Sequence, residues 1–442
     1  MIRIGVNIRY VGTWLLAVVL FFVLGCGQES KEVSKAEEGP TVVRAVFWGV
    51  AALRTTTNVL QDITDGFNKA HPDIHVEVEF IPVPDYKTRA FLEMGSDNPP
   101  DVFMTWAGGF LETFVEGGKV FSLSEALEND LEWQKRFFPG AFDQLTVNDQ
   151  IYAVPNAEVV TALFYNKRIF KELELLPPAT FNDLIEMAPL LRSHGYIPLA
   201  FGNEEPWVGG MLAGVMAQRV GGLEPYRRLV KTGSGWGDQT YIETGKLLQR
   251  LKNNNVFPEN FNSLTYGSAF ESFSEGRAAM IIMGSWIIPE FTHSAIVKDG
   301  VGVAPIPMVK GGKGKGSIWM GQVDRNLGIS TQSKNKEAAL KYLKWFSSPY
   351  EQRRLIEATG NLMVANIGEN PPRVPQVTLD LMGLLKYKQR TFLFYDVGFG
   401  QGVGVAFNRT IKEILDGVPP KQAFGELEEA VRMTRESEQV KQ

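Results

Sequence analysis

The stretch TVVRAVFW, at residues 41–48, begins the folded part of the chain. Its β-branched and aromatic residues predict a buried strand. Leu60, Ile63 and Phe67 follow at the spacing of one helix face, and residues 74–80 then alternate between apolar and polar side chains. Because strand, helix and strand follow one another, the sequence predicts an α/β fold with a mainly parallel sheet.

Tryptophan residues end two of the predicted strands. Trp48 ends the first, and Trp106 ends a short strand at residues 101–106. In open α/β sheets a ligand meets the loops at the carboxyl ends of the strands, so both tryptophans are candidates for a binding site. The second half of the chain repeats this pattern without repeating the sequence. At 442 residues the chain is long enough that we expect two lobes.

The composition excludes several classes of function. The chain has 45 Lys and Arg residues against 50 Asp and Glu, a net charge of −5, so phosphate attraction does not favour nucleic acid as a partner. One cysteine excludes an internal disulfide framework and a multi-thiolate metal site. The four histidines are isolated from one another, which leaves little for histidine-based catalysis. We therefore expect neither a metal nor a cofactor.

The amino terminus predicts a secreted protein. Arg3 and Arg9 precede an apolar run at residues 11–24, and small residues end this run. A basic start, a short apolar run and small residues together are typical of a secretory signal peptide, which we assign to residues 1–25. The run is shorter than the roughly 20 residues of a membrane-spanning helix, although a tilted anchor stays open as an alternative.

The only cysteine lies where the apolar run ends. The segment VLGC at residues 23–26 resembles the bacterial lipobox, whose cysteine is lipidated and becomes residue one, with Val23 in place of the usual leucine. Residues 26–40 then hold the lipidated Cys26 and a polar stretch without periodicity, which predicts a flexible tether. The alternative is an ordinary signal peptide or uncleaved anchor in which the cysteine occurs by chance.

Several segments occur in the order and spacing typical of one family. They are NPPDV at 98–102, YAVP at 152–155, LFYNKRIF at 163–170, PATFNDL at 178–184, FSEGRAAM at 273–280, MGSW at 283–286 and SKNKEAA at 333–339. Over residues 41–432 the chain resembles the family 1 extracellular solute-binding proteins of ABC importers, the group that includes maltose-binding protein. Phe181 departs from the family pattern, which usually has tryptophan there.

The resemblance implies a two-lobed periplasmic-binding-protein fold with a ligand cleft and a multi-strand hinge. The first lobe would combine residues 41–155 with 300–346, and the second would combine 156–299 with 347–432. Residues 433–442 are polar and predict a frayed tail. By the same resemblance the protein is expected to be a monomeric receptor rather than an enzyme. It would bind a sugar or oligosaccharide and deliver it to the membrane subunits of an ABC permease.

Aromatic and polar side chains near the expected cleft are the candidate ligand contacts. An aromatic face packs against the C–H groups of a pyranose, while planar polar groups bracket its hydroxyls. The candidate set is Trp48, Thr105, Trp106, Asn156, Glu158, Trp207, Trp286, Trp319 and Asp324. The resemblance places Trp106 and Trp286 at cleft loops. For the tryptophans the alternative is a role in the core. For Thr105, Asn156 and Glu158 it is a role in the hinge, and for Asp324 it is a helix cap or a surface acid. Trp133, Trp236 and Trp345 are expected to be structural.

Other readings stay open at this stage. The ligand of a solute receptor could be a glycerol phosphodiester, a polyamine or a metal instead of a sugar. A secreted glycosidase could work through paired carboxylates such as Glu158 and Asp324, and an adhesin or sensor could bind a solute without transport. The glycine- and lysine-rich residues 311–316 lack the ending of a phosphate-binding loop and predict a solvated hairpin. Residues 395–404 are expected to form a wall of the cleft.

Overall fold

The computed structural model describes residues 39–49, 54–292, 294–388 and 390–439. The predicted signal peptide, Cys26 and all of the tether except Gly39 and Pro40 lie outside these residues. Residues from Pro40 onward form one unit, which is the folded body of the protein.

The strands of the described residues are β1 (Thr41–Gly49), β2 (Ile74–Pro82), β3 (Val102–Thr105), β4 (Thr146–Val147), β5 (Gln150–Ile151), β6 (Ala157–Asn166), β7 (Ile197–Ala200), β8 (Ala278–Gly284), β9 (Val301–Ala304), β10 (Ile318–Asp324), β11 (Asn326–Ile329) and β12 (Arg390–Phe392).

The helices are α1 (Arg54–Ala70), α2 (Val83–Gly95), α3 (Gly109–Glu116), α4 (Ser124–Glu128), α5 (Leu131–Gln134), α6 (Lys167–Glu172), α7 (Phe181–Ser193), α8 (Trp207–Gly221), α9 (Glu224–Thr232), α10 (Gln239–Asn253), α11 (Tyr266–Ser274), α12 (Ile288–Phe291), α13 (Ile296–Asp299), α14 (Lys336–Phe346), α15 (Pro349–Thr359), α16 (Gln376–Leu385), α17 (Tyr395–Gly398), α18 (Gly400–Asp416) and α19 (Pro420–Gln439).

The smaller sheet has the strand order β11-β3-β1-β2. β1 runs parallel to both β2 and β3, whereas β11 runs antiparallel to β3. Parallel neighbours need a crossover, and α1 provides it between β1 and β2. The predicted face of α1, formed by Leu60, Ile63 and Phe67, is buried. The α/β prediction is confirmed in this half of the protein.

The larger sheet has the order β12-β10-β6-β8-β7, and β9 also pairs with β6. Here the prediction of a mainly parallel sheet is wrong, because β8, β9 and β10 all run antiparallel to β6. Only β7 with β8 and β10 with β12 are parallel pairs among the described strands of this larger sheet. The long strand β6 is therefore the centre of a mixed sheet, and its neighbours are far from it in sequence.

The chain returns from the larger sheet to the smaller one at residues 324–326, which we call the crossing turn. Asp324 ends β10, Asn326 begins β11, and Arg325 between them has a φ of 51°. The predicted division placed residues 300–346 in the first lobe. Strands β9 and β10 instead pair in the larger sheet, so the return comes at the crossing turn and not at residue 300.

After residue 346 the position of the chain also differs from the predicted division into lobes. Helix α15 was placed with the second lobe, but it packs against α1 and α14 beside the smaller sheet. The predicted frayed tail also differs, because α19 continues as a helix to Gln439. Apart from these points the division into lobes stays a prediction.

Three tryptophans that were expected to be structural have structural contacts. Trp133 is fully buried and its indole donates a hydrogen bond to Ser347 Oγ at 2.8 Å. The indole of Trp345 donates to the carbonyl of Ile63 at 3.2 Å. Trp236 is also fully buried, among aromatic rings of the second half of the chain. These three side chains hold helices together.

The glycine- and lysine-rich loop at residues 311–316 is not a free hairpin. The amide of Lys313 donates to the carbonyl of Val220 at 2.9 Å, and the amide of Gly314 donates to the carbonyl of Arg219 at 3.2 Å. A helix ends with carbonyls that lack partners within the helix. The loop therefore caps the carboxyl end of α8; four of its six residues are exposed as expected for a solvated loop, but it is not a free hairpin.

The two halves of the protein touch through glycine. Gly109 begins α3 beside the smaller sheet, and Gly400 begins α18 beside the larger one. A Cβ atom added at Gly109 would lie 2.6 Å from the amide nitrogen of Gly400. Near this contact, Lys87 of α2 pairs with Asp396 of α17 at 2.9 Å. The halves thus have one contact at which they meet backbone to backbone.

We predict that the substitution Gly109→Ala opens this arrangement. The added methyl group meets backbone atoms, which cannot rotate away as a side chain can, and overpacking of this kind costs about 1–3 kcal/mol. If the forms with the halves together and apart differ by a few kcal/mol, this cost shifts the population toward the form in which the halves are apart. Small-angle X-ray scattering should give a larger radius of gyration than for the wild type. Gly95→Ala is the control, since a Cβ there meets nothing within 4 Å; equal radii for all three proteins would contradict the prediction.

Candidate functional site

The crossing turn lies at the base of the space between the two sheets. Asn326 faces Thr105 in the ladder of β11 and β3, so Arg325 comes beside Trp106 where that ladder ends. A non-glycine residue with positive φ is uncommon and persists where its surroundings fix it. Here Asn156 donates its amide to the carbonyl of Arg325 at 2.6 Å, and Gln352 donates to Asn156 Oδ1 at 3.2 Å. Polar side chains from two other chain segments thus fix the turn.

Trp48 and Trp106 form a stacked pair beside the smaller sheet. Their ring centroids are 4.0 Å apart, and the ring planes are inclined by 6°. Tyr86 meets both rings edge-on, and Lys87 Nζ lies 5.3 Å from the Trp106 ring centroid. Parallel strands end at the same edge of a sheet, which explains why the two residues meet. Because each ring covers one face of the other and Tyr86 packs against both, the pair is buried, with 4% of Trp48 and 7% of Trp106 exposed.

A second aromatic group, which we call the aromatic wall, lies beside the larger sheet. It consists of Trp207, Tyr266, Trp286 and Phe394. The centroid distances are 5.4 Å from Trp207 to Tyr266, 6.0 Å from Trp207 to Trp286 and 5.6 Å from Trp286 to Phe394. Trp207 and Trp286 are half-buried and keep part of their surface open. Trp207 and Trp286, two of the candidate ligand contacts, therefore lie next to each other.

Local hydrogen bonds fix the aromatic wall. Glu205 accepts a hydrogen bond from the amide of Tyr266 at 2.8 Å, which joins the segment before α8 to the start of α11. Asn203 Oδ1 accepts from the amide of Gly209 at 2.9 Å, in the first turn of α8. These bonds satisfy amides at the beginnings of two helices, which have no partner within the helix. Trp207 and Tyr266, the first residues of those helices, are held side by side as a result.

Two predicted site residues use their polar atoms inside the protein. Thr105 is fully buried, and its hydroxyl donates to the carbonyl of Trp106 at 2.9 Å. Asn156 is also fully buried, and both ends of its amide bond protein groups at the crossing turn. For Thr105 and Asn156 the structure therefore favours the alternative interpretation, a role in the hinge instead of a ligand contact.

The candidate residues of β6 and β10 point to different sides of the sheet. Side chains alternate between the faces along a strand, so Trp319 and Asp324 lie on opposite faces. Glu158 faces Val323 in the β6–β10 ladder, which also puts it on the opposite face from Asp324. Glu158 pairs with Lys388, and Asp324 pairs with Arg325. The two carboxylates of the hydrolase alternative therefore do not converge on one point.

The strongest electrostatic interaction of the site is the buried ion pair of the crossing turn. Arg325 Nη1 lies 2.7 Å from Asp324 Oδ2, and both side chains are almost completely buried. Burial raises the pKa of Asp324, while the charge and hydrogen bonds of Arg325 and a hydrogen bond from Gln322 act against this rise. Burying two charges costs free energy unless other groups complete their hydrogen bonds. We therefore expect the Asp324–Arg325 pair to fix the geometry of the crossing turn more than to stabilise the fold.

Three residues near the candidate contacts were not predicted from the sequence. Gln322 and Arg325 are buried, and each has a polar atom without a hydrogen-bond partner among the described residues. Tyr266 is also buried, and its ring packs against Trp207. Gln322 and Arg325 stand in a polar run that ends an apolar strand, a signal that pointed only to Asp324. Tyr266 carried no signal, because its neighbours come from distant segments.

Two features are absent from the described residues, a metal-binding cluster and a membrane-spanning helix. Within the described ranges there is no group of three or more His, Cys, Asp or Glu side chains arranged to hold a metal ion. In the same residues no helix is long and apolar enough to cross a membrane.

We predict that Asn156→Ala destabilises the protein by about 1–3 kcal/mol, because it leaves the carbonyl of Arg325 buried without this partner and removes an acceptor from Gln352. Urea-induced unfolding followed by tryptophan fluorescence measures the change. Asn370→Ala is the control at an exposed position and should stay within about 0.5 kcal/mol of the wild type. An unfolding midpoint of Asn156→Ala equal to that of the control would show that the crossing turn does not depend on Asn156.

The chain resembles sugar-binding proteins in both sequence and fold. It is 28% identical over 324 residues to the maltotriose-binding protein of Pyrococcus abyssi, a match that covers 72% of this chain and 65% of that relative. The galactooligosaccharide-binding protein of Bacillus subtilis is 25% identical over 372 residues, or 81% of each chain. A solved structure from work on xylan utilization by the thermophilic bacterium Caldanaerobius polysaccharolyticus superposes with a TM-score of 0.83 at 24% identity, covering 88% of this chain and all of that one.

The superposition over 88% of this chain shows that the solved structure has the same fold. The profile of the bacterial extracellular solute-binding proteins matches residues 54–353, which include the stacked pair's Trp106, the aromatic wall up to Trp286 and the crossing turn. Since this match extends over more than half of the chain, the protein belongs to the bacterial extracellular solute-binding protein family.

Proposed function

We propose that this protein is the extracytoplasmic substrate-binding lipoprotein of an ABC transporter. It captures a sugar or oligosaccharide in the cleft between the two sheets and delivers it to the membrane permease. The observation that carries this proposal is the aromatic wall beside the larger sheet, in which Trp207 and Trp286 lie together and keep part of their surface open. The stacked pair beside the smaller sheet is a second aromatic group.

A sugar suits such a site for physical reasons. A pyranose has apolar C–H patches that pack on aromatic rings, and it has hydroxyls that need hydrogen-bond partners once water is excluded. The curated relatives named above bind maltotriose and galactooligosaccharides, which are both neutral sugars. The surfaces that Trp207 and Trp286 leave open offer the corresponding faces in this protein.

Closure of the cleft is the working step of the proposed mechanism. A ligand shifts an equilibrium between open and closed forms only by the difference in its affinity for the two. A sugar that contacts both the stacked pair and the aromatic wall has such a difference, because only the closed form brings both to it. The closed form is then the one that the permease recognises. No covalent bond is made or broken in this cycle, and the protein works as a monomer.

The proposed location rests on the amino terminus. The signal peptide at residues 1–25 directs export, and lipidation of Cys26 anchors the chain to the membrane. About 14 tether residues have a root-mean-square reach of roughly 20 Å, which lets the folded body work beside a permease.

The other candidate functions have less support. A glycosidase acting through Glu158 and Asp324 would need both carboxylates on one side of its substrate, yet they lie on opposite faces of the sheet. A receptor for a glycerol phosphodiester would need clustered arginines at the cleft. Arg325 of the crossing turn is already paired with Asp324. A sensor that binds a sugar without transport shares every feature of the proposed receptor, and an adjacent permease gene would distinguish the two.

We predict that a neutral sugar stabilises the chain beginning at Gly27 against heat. Stabilisation follows RT ln(1 + [L]/Kd), so a sugar at 100 times its Kd adds about 2.7 kcal/mol. The measurement is the melting temperature with maltotriose, xylotriose, galactotriose and triacetylchitotriose, and with glycerol 3-phosphate and spermidine as charged comparisons.

Trp286→Ala should weaken binding of the stabilising sugar by about 2 kcal/mol, or roughly thirtyfold, because it removes a central aromatic contact. Tyr350→Ala removes an exposed aromatic side chain outside the cleft and serves as the control. Stabilisation by a charged solute alone would refute the sugar. Release of a cleaved product from the bound sugar would refute the receptor.

A further inference from the structure

Two adjoining cavities lie on the surface at the carboxyl end of α8, and we call them together the basic pocket. Their volumes are about 260 Å³ and about 630 Å³. Both are lined by Gly222, Leu223, Glu224 and Lys313, and Lys315 also lines the smaller one. The residues that line the basic pocket belong to none of the groups described above, the stacked pair, the aromatic wall and the crossing turn.

The basic pocket is far from the proposed sugar site. Helix α8 begins at Trp207 of the aromatic wall and ends at Gly221 beside the pocket, and its 15 residues span about 22 Å. Strand β10 likewise begins at Ile318, which lines the smaller cavity, and ends at Asp324 of the crossing turn. The pocket therefore lies at the opposite ends of both elements from the aromatic wall and the crossing turn.

The two acidic residues that line the basic pocket are already paired. Glu224 forms an ion pair with Arg227, three residues later in α9. Asp238 forms an ion pair with Arg228 at 2.7 Å and also accepts a hydrogen bond from the amide of Thr240 at 2.8 Å. The negative charges of the pocket are therefore compensated within the protein.

Three cations at the same place have no carboxylate partner among the residues that the structure describes. Lys313 and Lys315 are exposed in the loop that caps α8. Arg219, in the last turn of α8, is only 3% exposed. Its Nη1 donates to neutral groups, namely Gln218 Oε1 and the carbonyls of Lys315 and Ile318, the last two at 3.1 Å each. Because Lys315 and Ile318 line the smaller cavity, the guanidinium lies directly behind its wall.

The buried charge of Arg219 calls for a negative partner. Its Nε is buried and has no hydrogen bond within the described part of the chain. Burial lowers the pKa of Arg219 to about 10, so the side chain is still charged at neutral pH. Buried charges in proteins are normally paired, because an uncompensated charge away from water costs free energy. An anion in the adjoining cavity would supply the missing charge.

Helix α9 adds a further feature that favours an anion. This helix of nine residues begins at Glu224, and the preceding Leu223 provides no side-chain cap. The first amides of a helix have no partner within the helix, and they carry its positive partial charge. Anions bind at such helix ends for this reason. Both cavities reach this end of α9, since Gly222, Leu223 and Glu224 line them.

We propose that the basic pocket binds a phosphate group, which is held by Lys313 and Lys315 and the first turn of α9, with the positive charge of Arg219 behind them. A phosphate group accepts several hydrogen bonds and carries the charge that the three cations lack. The phosphate comes from free inorganic phosphate or from the headgroup of an anionic phospholipid, which share this chemistry. The site is separate from sugar binding and adds a second ligand to the protein.

The test titrates the chain beginning at Gly27 with sodium phosphate at neutral pH and low ionic strength, where salt does not screen the charges. Isothermal titration calorimetry should show binding to the wild type. The double variant Lys313→Gln/Lys315→Gln should bind phosphate at least about tenfold more weakly, because it removes two of the three cations that lack a carboxylate partner. Both side chains are exposed, so the melting temperature of this variant without phosphate should equal that of the wild type.

The matched control is the double variant Lys334→Gln/Lys341→Gln. It removes the same charge at two exposed positions near and within α14, outside the basic pocket. This variant should bind phosphate as the wild type does. The comparison separates a site from the general attraction of an anion to a more positive protein.

A second arm identifies the source of the phosphate group. Flotation with vesicles of phosphatidylglycerol, and with vesicles of phosphatidylcholine for comparison, measures binding to an anionic headgroup. Binding to phosphatidylglycerol that the Lys313/Lys315 variant loses and the control keeps supports the lipid as source. Calorimetric binding of phosphate without vesicle binding supports the free ion.

Two results overturn the proposal. The first is that the wild type binds neither phosphate nor phosphatidylglycerol vesicles. The second is that the Lys313/Lys315 variant binds both probes as well as the control does. The proposed function is tested by sugar binding in the cleft, so it stands or fails independently of these results.

Discussion

The left-handed turn at Arg325 is the constraint on which the rest of the structure depends. One residue separates a strand of the larger sheet from a strand of the smaller sheet, and its φ of 51° redirects the chain from one to the other. Such a backbone costs free energy for a side chain as large as arginine, and it persists because the surroundings over-determine it. Asn156 and Asp324 bond the two ends of this residue, its carbonyl and its guanidinium. A few hydrogen bonds at one residue thus fix the point where the chain passes from one sheet to the other.

This construction explains why the site lies where it does. The stacked pair follows strands of the smaller sheet, and the aromatic wall is attached to the larger sheet. A ligand that contacts both aromatic groups also touches both halves of the protein. The same contacts then bind the ligand and stabilise the closed form. A receptor needs this link if a membrane partner is to recognise only the ligand-bound form.

The sequence predicts what local patterns determine. The strand at residues 41–48 and the buried face of α1 follow from periodicity, and the family follows from motif order. The direction of the strands around β6 could not be predicted, because pairing between distant segments sets it. For the same reason the first lobe was predicted to resume at residue 300, although β9 and β10 still pair with β6. Tyr266 and Arg325 were not predicted as site residues because contacts between distant segments determine their positions. In addition, an arginine with positive φ is not expected from backbone propensity.

The most direct test of the account measures closure itself. The chain beginning at Gly27 has no cysteine, so spin labels can be placed at Leu92→Cys in α2 and Leu176→Cys between α6 and α7, both at strongly exposed positions. Electron–electron double resonance then gives the distance between the two halves. With the sugar that raises the melting temperature at saturation, the account predicts that a broad or double distribution collapses to one narrow distance. An unchanged distribution at saturation would contradict it, since the sugar would then bind without bringing the two halves together.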